Sequence, residues 1–307
     1  MNKILVTGGA GFVGSNLISN LLESNYSIIN IDNFSNGLKG NLQSTVINFE
    51  SNLHDSKWMN EIAGEKIDAV IHCAAQSSNA ISFKSPVQDL LDNQLSTLNV
   101  IKFCENQNIK RLIFTSSMSA YGSPTVFPTP TSNTLNPLTY YGIHKSTSEQ
   151  YIRLNDDLNW TIFRLYTTYG FGQNLSNSSQ GLVSIFIDKI LRDEVLEIHG
   201  STSRERDIIH VTDVVKAIHS SIENRLTFKK IYNLGTGKSV TIKEILSRLL
   251  IGFGKSPSYP ISVMRGDIGD PFKTQADISS TVQDLGWKPQ ISFELGLRMT
   301  CEKYLKS

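Results

Sequence analysis

The sequence has 307 residues and a formal net charge of +1, with 39% hydrophobic and 19% charged residues. A chain of that length buries a full core and leaves room for a smaller lobe. Its near-neutral charge gives no electrostatic case for nucleic acid or an anionic membrane, so any bound anion must be gripped locally.

Short apolar runs alternate with helical stretches through the first half. Strands are expected at 3–7, 27–31, 46–49, 69–72, 111–115 and 161–165, and helices near 12–22, 56–63, 86–107 and 141–155. Strands alternating with helices imply βαβ units and a parallel sheet. The runs KILVT, DAVIHCAA and RLIFTSS are continuously apolar, as strands buried on both faces should be. The pattern loosens after about residue 166, with an Asn/Ser-rich stretch at 175–180 and Gly, Ser and Pro residues at 252–260. The expected architecture is α/β, a Rossmann-type doubly wound parallel sheet with a smaller C-terminal substrate-binding lobe. Residues 1–165 with 207–235 form the dinucleotide-binding part, and 166–206 with 236–307 the lobe.

Cys73, Cys104 and Cys301 are odd in number, far apart and outside any CxxC or Cys/His spacing, which argues against a disulfide framework or a metal site. Cys73 and Cys104 read as small buried apolar residues. The segment MNKILVTGGAG runs directly into a strand and a glycine turn, unlike a secretory leader. No apolar run approaches the roughly 18 residues of a membrane span. The expected location is cytoplasmic, in a reducing compartment.

Gly8-Gly9-Ala10-Gly11-Phe12-Val13-Gly14 lies between the first strand and the first helix and reads GxxGxxG. Glycines there permit a tight turn and let backbone, including Phe12 and Val13, approach a pyrophosphate at the helix N-terminus. Asp32 closes the second strand about 20 residues on, where a carboxylate hydrogen-bonds the adenosine ribose. It would repel a 2′-phosphate, and IDNFSNG holds no arginine to receive one, so NAD is favoured over NADP.

Tyr141 and Lys145 stand four apart on one helix face. A free tyrosine is a poor base at neutral pH, and a nearby ammonium favours its phenolate. The pair follows Ser116-Ser117 at a strand end, and strand ends in open α/β sheets face the ligand crevice.

The motifs TGGAGFVG (7–14), IDNFSNG (31–37), HCAAQSS (72–78), NQLST (93–97), FTSSMSAYG (114–122), YYGIHK (140–145), RDIIHVTDVV (206–215), YNLGTGKSVT (232–241) and LGWKP (285–289) occur in one order along the chain. On these the sequence resembles the extended short-chain dehydrogenase/reductase family, particularly its nucleotide-sugar epimerase branch. The resemblance implies NAD-dependent epimerisation of a nucleotide sugar, at C4 of a UDP-hexose or UDP-N-acetylhexosamine, through a transient 4-keto sugar. It implies Ser117 as the group that hydrogen-bonds the sugar oxygen, Tyr141 as the base, and Lys145 as the residue that binds the nicotinamide ribose and tunes the tyrosine. Gly8, Gly11, Gly14, Asp32, Asn33, Ala74, Ala75 and Asn93 match cofactor contacts. Arg206 and Arg265 match arginines that meet the nucleotide diphosphate, for which a planar guanidinium is suited; the plain alternative is ion pairing with Asp207 or Asp267.

Several positions depart from the family pattern. Met118 and Ser119 stand where the dehydratases carry Asp-Glu, and Ser119 where the decarboxylases carry Glu. Thr167 replaces the usual substrate-binding Asn of the 164–170 stretch. Asn52 replaces the usual adenine-side Asp ahead of Leu53, and its amide still hydrogen-bonds a base. A dehydrogenase or reductase of a nucleotide-linked keto or deoxy sugar would use the same residues. A non-catalytic NAD-sensing protein is a third alternative. His72 reads as a satisfied core histidine and His144 as structural, and the apolar 86–107 helix is expected to pack against its twin in a homodimer or within its own chain.

Overall fold

Seven parallel strands form one twisted sheet in the order β11-β6-β5-β4-β1-β2-β3, which reverses direction beside β1. The structure, a computed structural model, describes residues 2–177, 179–266 and 269–306. The sheet strands are β1 (Lys3–Thr7), β2 (Ser27–Asp32), β3 (Ile47–Glu50), β4 (Ala69–His72), β5 (Arg111–Ser117), β6 (Asn159–Leu165) and, after four outlying strands, β11 (Lys230–Leu234). The helices between them are α1 (Phe12–Glu23), α2 (Trp58–Glu61), α3 (Asn79–Lys84), α4 (Pro86–Leu90), α5 (Ser96–Asn106) and α6 (Tyr140–Arg153). The Rossmann-type reading of the sequence therefore holds.

Both sheet faces are buried, which explains the continuous apolar runs. Ile4, Val6, Ile71, Ile113, Phe163 and Tyr232 face α1 and α8 (Val211–Ser221). Leu5, Ile29, Val70, Leu112 and Ile162 face Trp58, Val100, Phe103 and Ile152 on the opposite side.

The helix expected over 86–107 is broken by a π-helical turn at Leu91–Leu95 between α4 and α5. Ser96 Oγ donates to the Leu91 carbonyl at 3.0 Å within that turn. Such turns rotate the side chains that follow.

The smaller lobe collects α7 (Leu182–Leu191), α9 (Ile242–Gly252) and α11 (Phe293–Lys306) around Ile187, Leu196, Ile245, Leu249 and Leu297. Three strand pairs frame it. β7 (Thr167–Tyr169) runs parallel to β10 (Ile208–His210), and β8 (Leu196–His199) parallel to β13 (Ile261–Met264). β9 (Glu205–Arg206) runs antiparallel to β12 (Val240–Thr241). Of residues 207–235, β11 joins the main sheet, whereas β10 pairs outside it.

Not all of 236–307 stays with the lobe. After α10 (Ser279–Leu285), Leu285 and Trp287 pack against the sheet core. Trp287 Nε1 donates to the Asp213 carbonyl at 3.0 Å, and the Gln290 and Ile291 amides donate to Asp213 Oδ2 at 3.0 and 2.9 Å. Asp207 likewise ties segments together, accepting from the Thr236, Gly237 and Ala276 amides at 2.7–3.0 Å. Arg111 is buried and meets no carboxylate among the described residues. Its guanidinium donates to the Ser221 and Ile222 carbonyls ending α8 and to the Asn159 carbonyl, at 2.5–2.9 Å. Among the described residues no helix is long and apolar enough to cross a membrane.

Candidate active site

A cleft of about 670 Å³ runs along the C-terminal ends of β2, β1, β4, β5 and β6 and the start of β7. Its floor begins at the glycine turn. Gly8 has φ +72°, and its amide donates to the Ile31 carbonyl at 2.8 Å. A Cβ on Gly8 would lie 2.6 Å from Ala74 backbone, and one on Gly14 would lie 2.2 Å from the Gly8 carbonyl oxygen. Only glycine fits those two approaches. α1 starts at Phe12 with no side-chain cap on its first amides, which leaves N–H groups for an anion.

At the end of β2, Asp32 Oδ2 accepts from the Ala10 amide at 2.9 Å and Oδ1 from the Phe34 amide at 2.8 Å. Burial pushes its carboxyl above the usual range, against these hydrogen bonds. Asn33 lines the cleft and donates from Nδ2 to Asn52 Oδ1 at 2.7 Å. Leu53, Ala74, Ala75, Phe12 and Val13 line it as well.

The far end holds Ser117, Tyr141 and Lys145, which the structure brings together between the end of β5 and the first turns of α6. Thr139 caps α6, accepting from the Gly142 amide at 3.0 Å. Gly142 lets the helix approach the turn after β5, because a Cβ there would lie 2.5 Å from the Ser119 carbonyl oxygen. Burial pushes the Tyr141 phenol up to about 12; its hydrogen bond with Ser117 opposes this, and the Asp89 carboxylate adds to it. Burial brings Lys145 down to about 8. Lys145 Nζ donates to the Thr115 carbonyl at 2.8 Å and lies 4.5 Å from the centre of the Phe114 ring. Burial thus disfavours the phenolate of Tyr141 and the charged form of Lys145 alike.

Helix α6 is braced from behind. Glu149 accepts from Arg164 Nε at 3.0 Å and Nη2 at 2.7 Å, and from Ser116 Oγ at 2.5 Å, a forked, charge-assisted link from α6 to β5 and β6. His72 bridges Thr7 Oγ1 at 2.7 Å and Thr97 Oγ1 at 3.1 Å, and burial brings it down to about 3. It is a satisfied neutral core residue, as expected. Cys104 is buried, but Cys73 is only partly buried and lines the cleft; burial still pushes its thiol up to about 12.

Three expected site residues fall outside the lining. Asn93, carried on the π-helical turn, points beneath the cleft floor. Its Nδ2 donates to the Gln76 carbonyl at 3.1 Å, and its buried Oδ1 has no hydrogen-bond partner among the described residues. Asn52 stays exposed and touches the site through Asn33. Arg265 is exposed just beyond β13 and does not line the cleft, because its strand lies on the outer edge of the lobe. Thr167 and Arg206 do line it. Arg206 does not pair with Asp207. Nη2 donates to Asp270 Oδ1 at 2.5 Å, and Arg204 pairs with the same side chain. Asp207 is occupied by backbone amides, and Asp267 lies outside the described residues. Sequence reasoning missed Arg204, Asp270, Gln76, Asp89, Asn36 and Gln180. Their roles rest on partners 13 to 144 residues away, and the one local signal is the Arg-Glu-Arg spacing at 204–206.

The family model described as "NAD dependent epimerase/dehydratase family" matches residues 4–235. A Methanocaldococcus jannaschii protein, provisionally assigned as a UDP-glucose 4-epimerase, is 33% identical over 301 residues that cover 96% of each chain. The crystal structure of Thermotoga maritima UDP-glucose 4-epimerase with UDP-glucose superposes with a TM-score of 0.94 at 32% identity, covering 99% of both chains. The UDP-N-acetylglucosamine 4-epimerase of Methanobrevibacter ruminantium M1, solved with UDP-N-acetylmuramic acid, gives 0.91 at 27%, over 99% of this chain and 98% of that one.

Proposed function

The chain belongs to the NAD-dependent epimerase/dehydratase family, and from that premise we propose that it is a 4-epimerase of a UDP-hexose or UDP-N-acetylhexosamine. The observation that carries the reading is the convergence of Ser117, Tyr141 and Lys145 at one end of a cleft whose other end is the glycine turn and Asp32. Met118 and Ser119 beside Ser117 hold no carboxyl group for water loss or decarboxylation.

Gly8, Gly14 and Asp32 fit NAD: without a Cβ at either glycine the turn closes on its own backbone, and the uncapped first amides of α1 are left for a pyrophosphate beside the cleft that Asp32 lines. NAD, when bound, supplies a hydride acceptor that gives the hydride back, and a positive charge that favours the Tyr141 phenolate. Tyr141 takes the C4 hydroxyl proton and returns it after the keto sugar has turned over. Ser117 donates to the sugar oxygen and keeps it within reach of the phenol. Lys145, fixed by the Thr115 carbonyl, holds positive charge behind the tyrosine. Arg206 grips the diphosphate, and Thr167 lines the path between it and the sugar.

Two copies pair through α4, α5 and α6 in this reading. Val87 is 72% exposed, and Leu90, Leu98 and Ile143 are also exposed there. Light scattering of the purified chain at the monomer mass would reject the dimer.

The experiment is NMR of the purified protein with UDP-, dTDP-, GDP- and CDP-sugars and trace NAD, with NADH absorbance followed in parallel. A new epimer without lasting NADH is expected. NADH growing in proportion to product would make the enzyme a dehydrogenase instead.

A further inference from the structure

Gln180 ends a polar loop that leaves β7 and returns into α7, and its side chain spans two other loops. Its Oε1 accepts from Asn36 Nδ2 at 2.6 Å, and its Nε2 donates to Ser77 Oγ. Asn177 Nδ2 adds a bond to Asn36 Oδ1 at 2.8 Å, and Asn174 Nδ2 one to the Asn36 carbonyl at 3.3 Å. Asn36, Ser77, Asn177 and Gln180 all line the cleft.

The strand order gives this cluster its meaning. Asn36 follows β2, Ser77 follows β4, and β1 with its glycine turn lies between them. A dinucleotide reaching from Asp32 to Tyr141 must cross that turn, and the Asn36–Gln180–Ser77 bridge spans the same interval. The loop is held at one end by Asn41 Nδ2 on the Gly172 carbonyl at 3.1 Å and Asn16 Nδ2 on the Phe171 carbonyl at 3.1 Å. Gly172 at φ +103° and Gly181 at φ +85° flank it, backbone conformations that favour glycine.

We propose that Gln180 closes a clasp over the dinucleotide path, and that opening the Asn36–Gln180–Ser77 bridge is the step that releases NAD. The inference rests on the NAD-dependent epimerase reading, and it supplies what that reading requires. A reaction that takes a hydride and gives it back must keep one cofactor through both halves. The bridging groups are neutral amides and a hydroxyl, so closure asks for no change of charge. It stabilises the loaded state only while all three loops are in place, which makes Gln180 and Asn36 positioning residues.

The test is exchange of isotopically labelled NAD from the loaded protein into excess unlabelled NAD, followed by nucleotide analysis of the retained fraction. Gln180→Ala and Asn36→Ala should each release NAD about tenfold faster, the effect of losing one or two net hydrogen bonds. Because both act through one bridge, the double variant should release no faster than the faster single. Release within about twofold of the unmodified chain in both single variants overturns the clasp, as does a double variant whose effects multiply. An unmodified chain that retains no NAD at all overturns the cofactor reading, and the clasp with it.

Discussion

His144 Nδ1 lies 2.5 Å from Asp89 Oδ2, and both side chains are buried, at 7% and 0% exposure. The other carboxylate oxygen of Asp89 accepts from Gln76 Nε2 at 2.5 Å. One turn of α6 is thereby fastened, between Tyr141 and Lys145, to α4 and to the loop carrying Ala74 and Ala75. The sequence marks His144 only as structural; the structure shows what it is structural for.

His144→Leu should destabilise the fold by about 3 kcal/mol, because it leaves the buried Asp89 charge with Gln76 as its remaining hydrogen-bond donor. In an Asp89→Asn background the same substitution should cost about 1 kcal/mol or less. Urea unfolding of the four proteins measures the coupling. Equal costs in both backgrounds would show that the pair does not interact.

Tyr141→Phe keeps the ring and removes the hydroxyl that shares a hydrogen bond with Ser117. Labelled NAD should still bind, while epimer formation falls by about 10²–10⁴-fold. Turnover in the variant within about tenfold of the unmodified enzyme would remove Tyr141 from the role of base.

Lys145 predicts a trade between stability and activity. Its ammonium has an ordinary value of 10.5 and is brought down to about 8 by burial in the folded chain. Below about pH 8 it is charged in both states, and the folded protein carries the full burial penalty. Between pH 8 and 10.5 the folded state has released the proton while the unfolded state still holds it, so this contribution to stability rises with pH. Lys145→Met should therefore be inactive yet more stable at pH 7 by about 1–3 kcal/mol, after allowing for the lost bond to Thr115. The gap should close towards pH 10.5. A gap that stays constant with pH would place its cause in packing.

What was legible in the sequence is what short-range pattern encodes. Parallel strands buried on both faces write themselves as apolar runs, and the glycine turn is visible because its constraints are local, down to the Gly8 φ of +72°. The four-residue spacing of Tyr141 and Lys145 needs only helical geometry. Asn93 sits on the π-helical turn at Leu91–Leu95 and outside the cleft lining, and the one-residue change of helical phase in such a turn leaves no mark in composition. Nothing in the sequence connects Arg206 to Asp270, the carboxylate it meets from 64 residues away, because no spacing rule spans that separation. The Gln180 bridge was invisible for the same reason, since amide side chains carry no signature of whom they will meet.

The place of β11 bears on how the chain emerges from the ribosome. Until Lys230–Leu234 have been made, the outer edge of β6 presents unpaired backbone groups, with Thr161 to Leu165 awaiting their partners. Trp287, later still, seals the face on which α1 and α8 meet. Between the synthesis of Leu165 and that of Leu234 the nascent polypeptide thus carries an open sheet margin, and until Trp287 a half-covered apolar surface, the kind of exposure that invites misassembly.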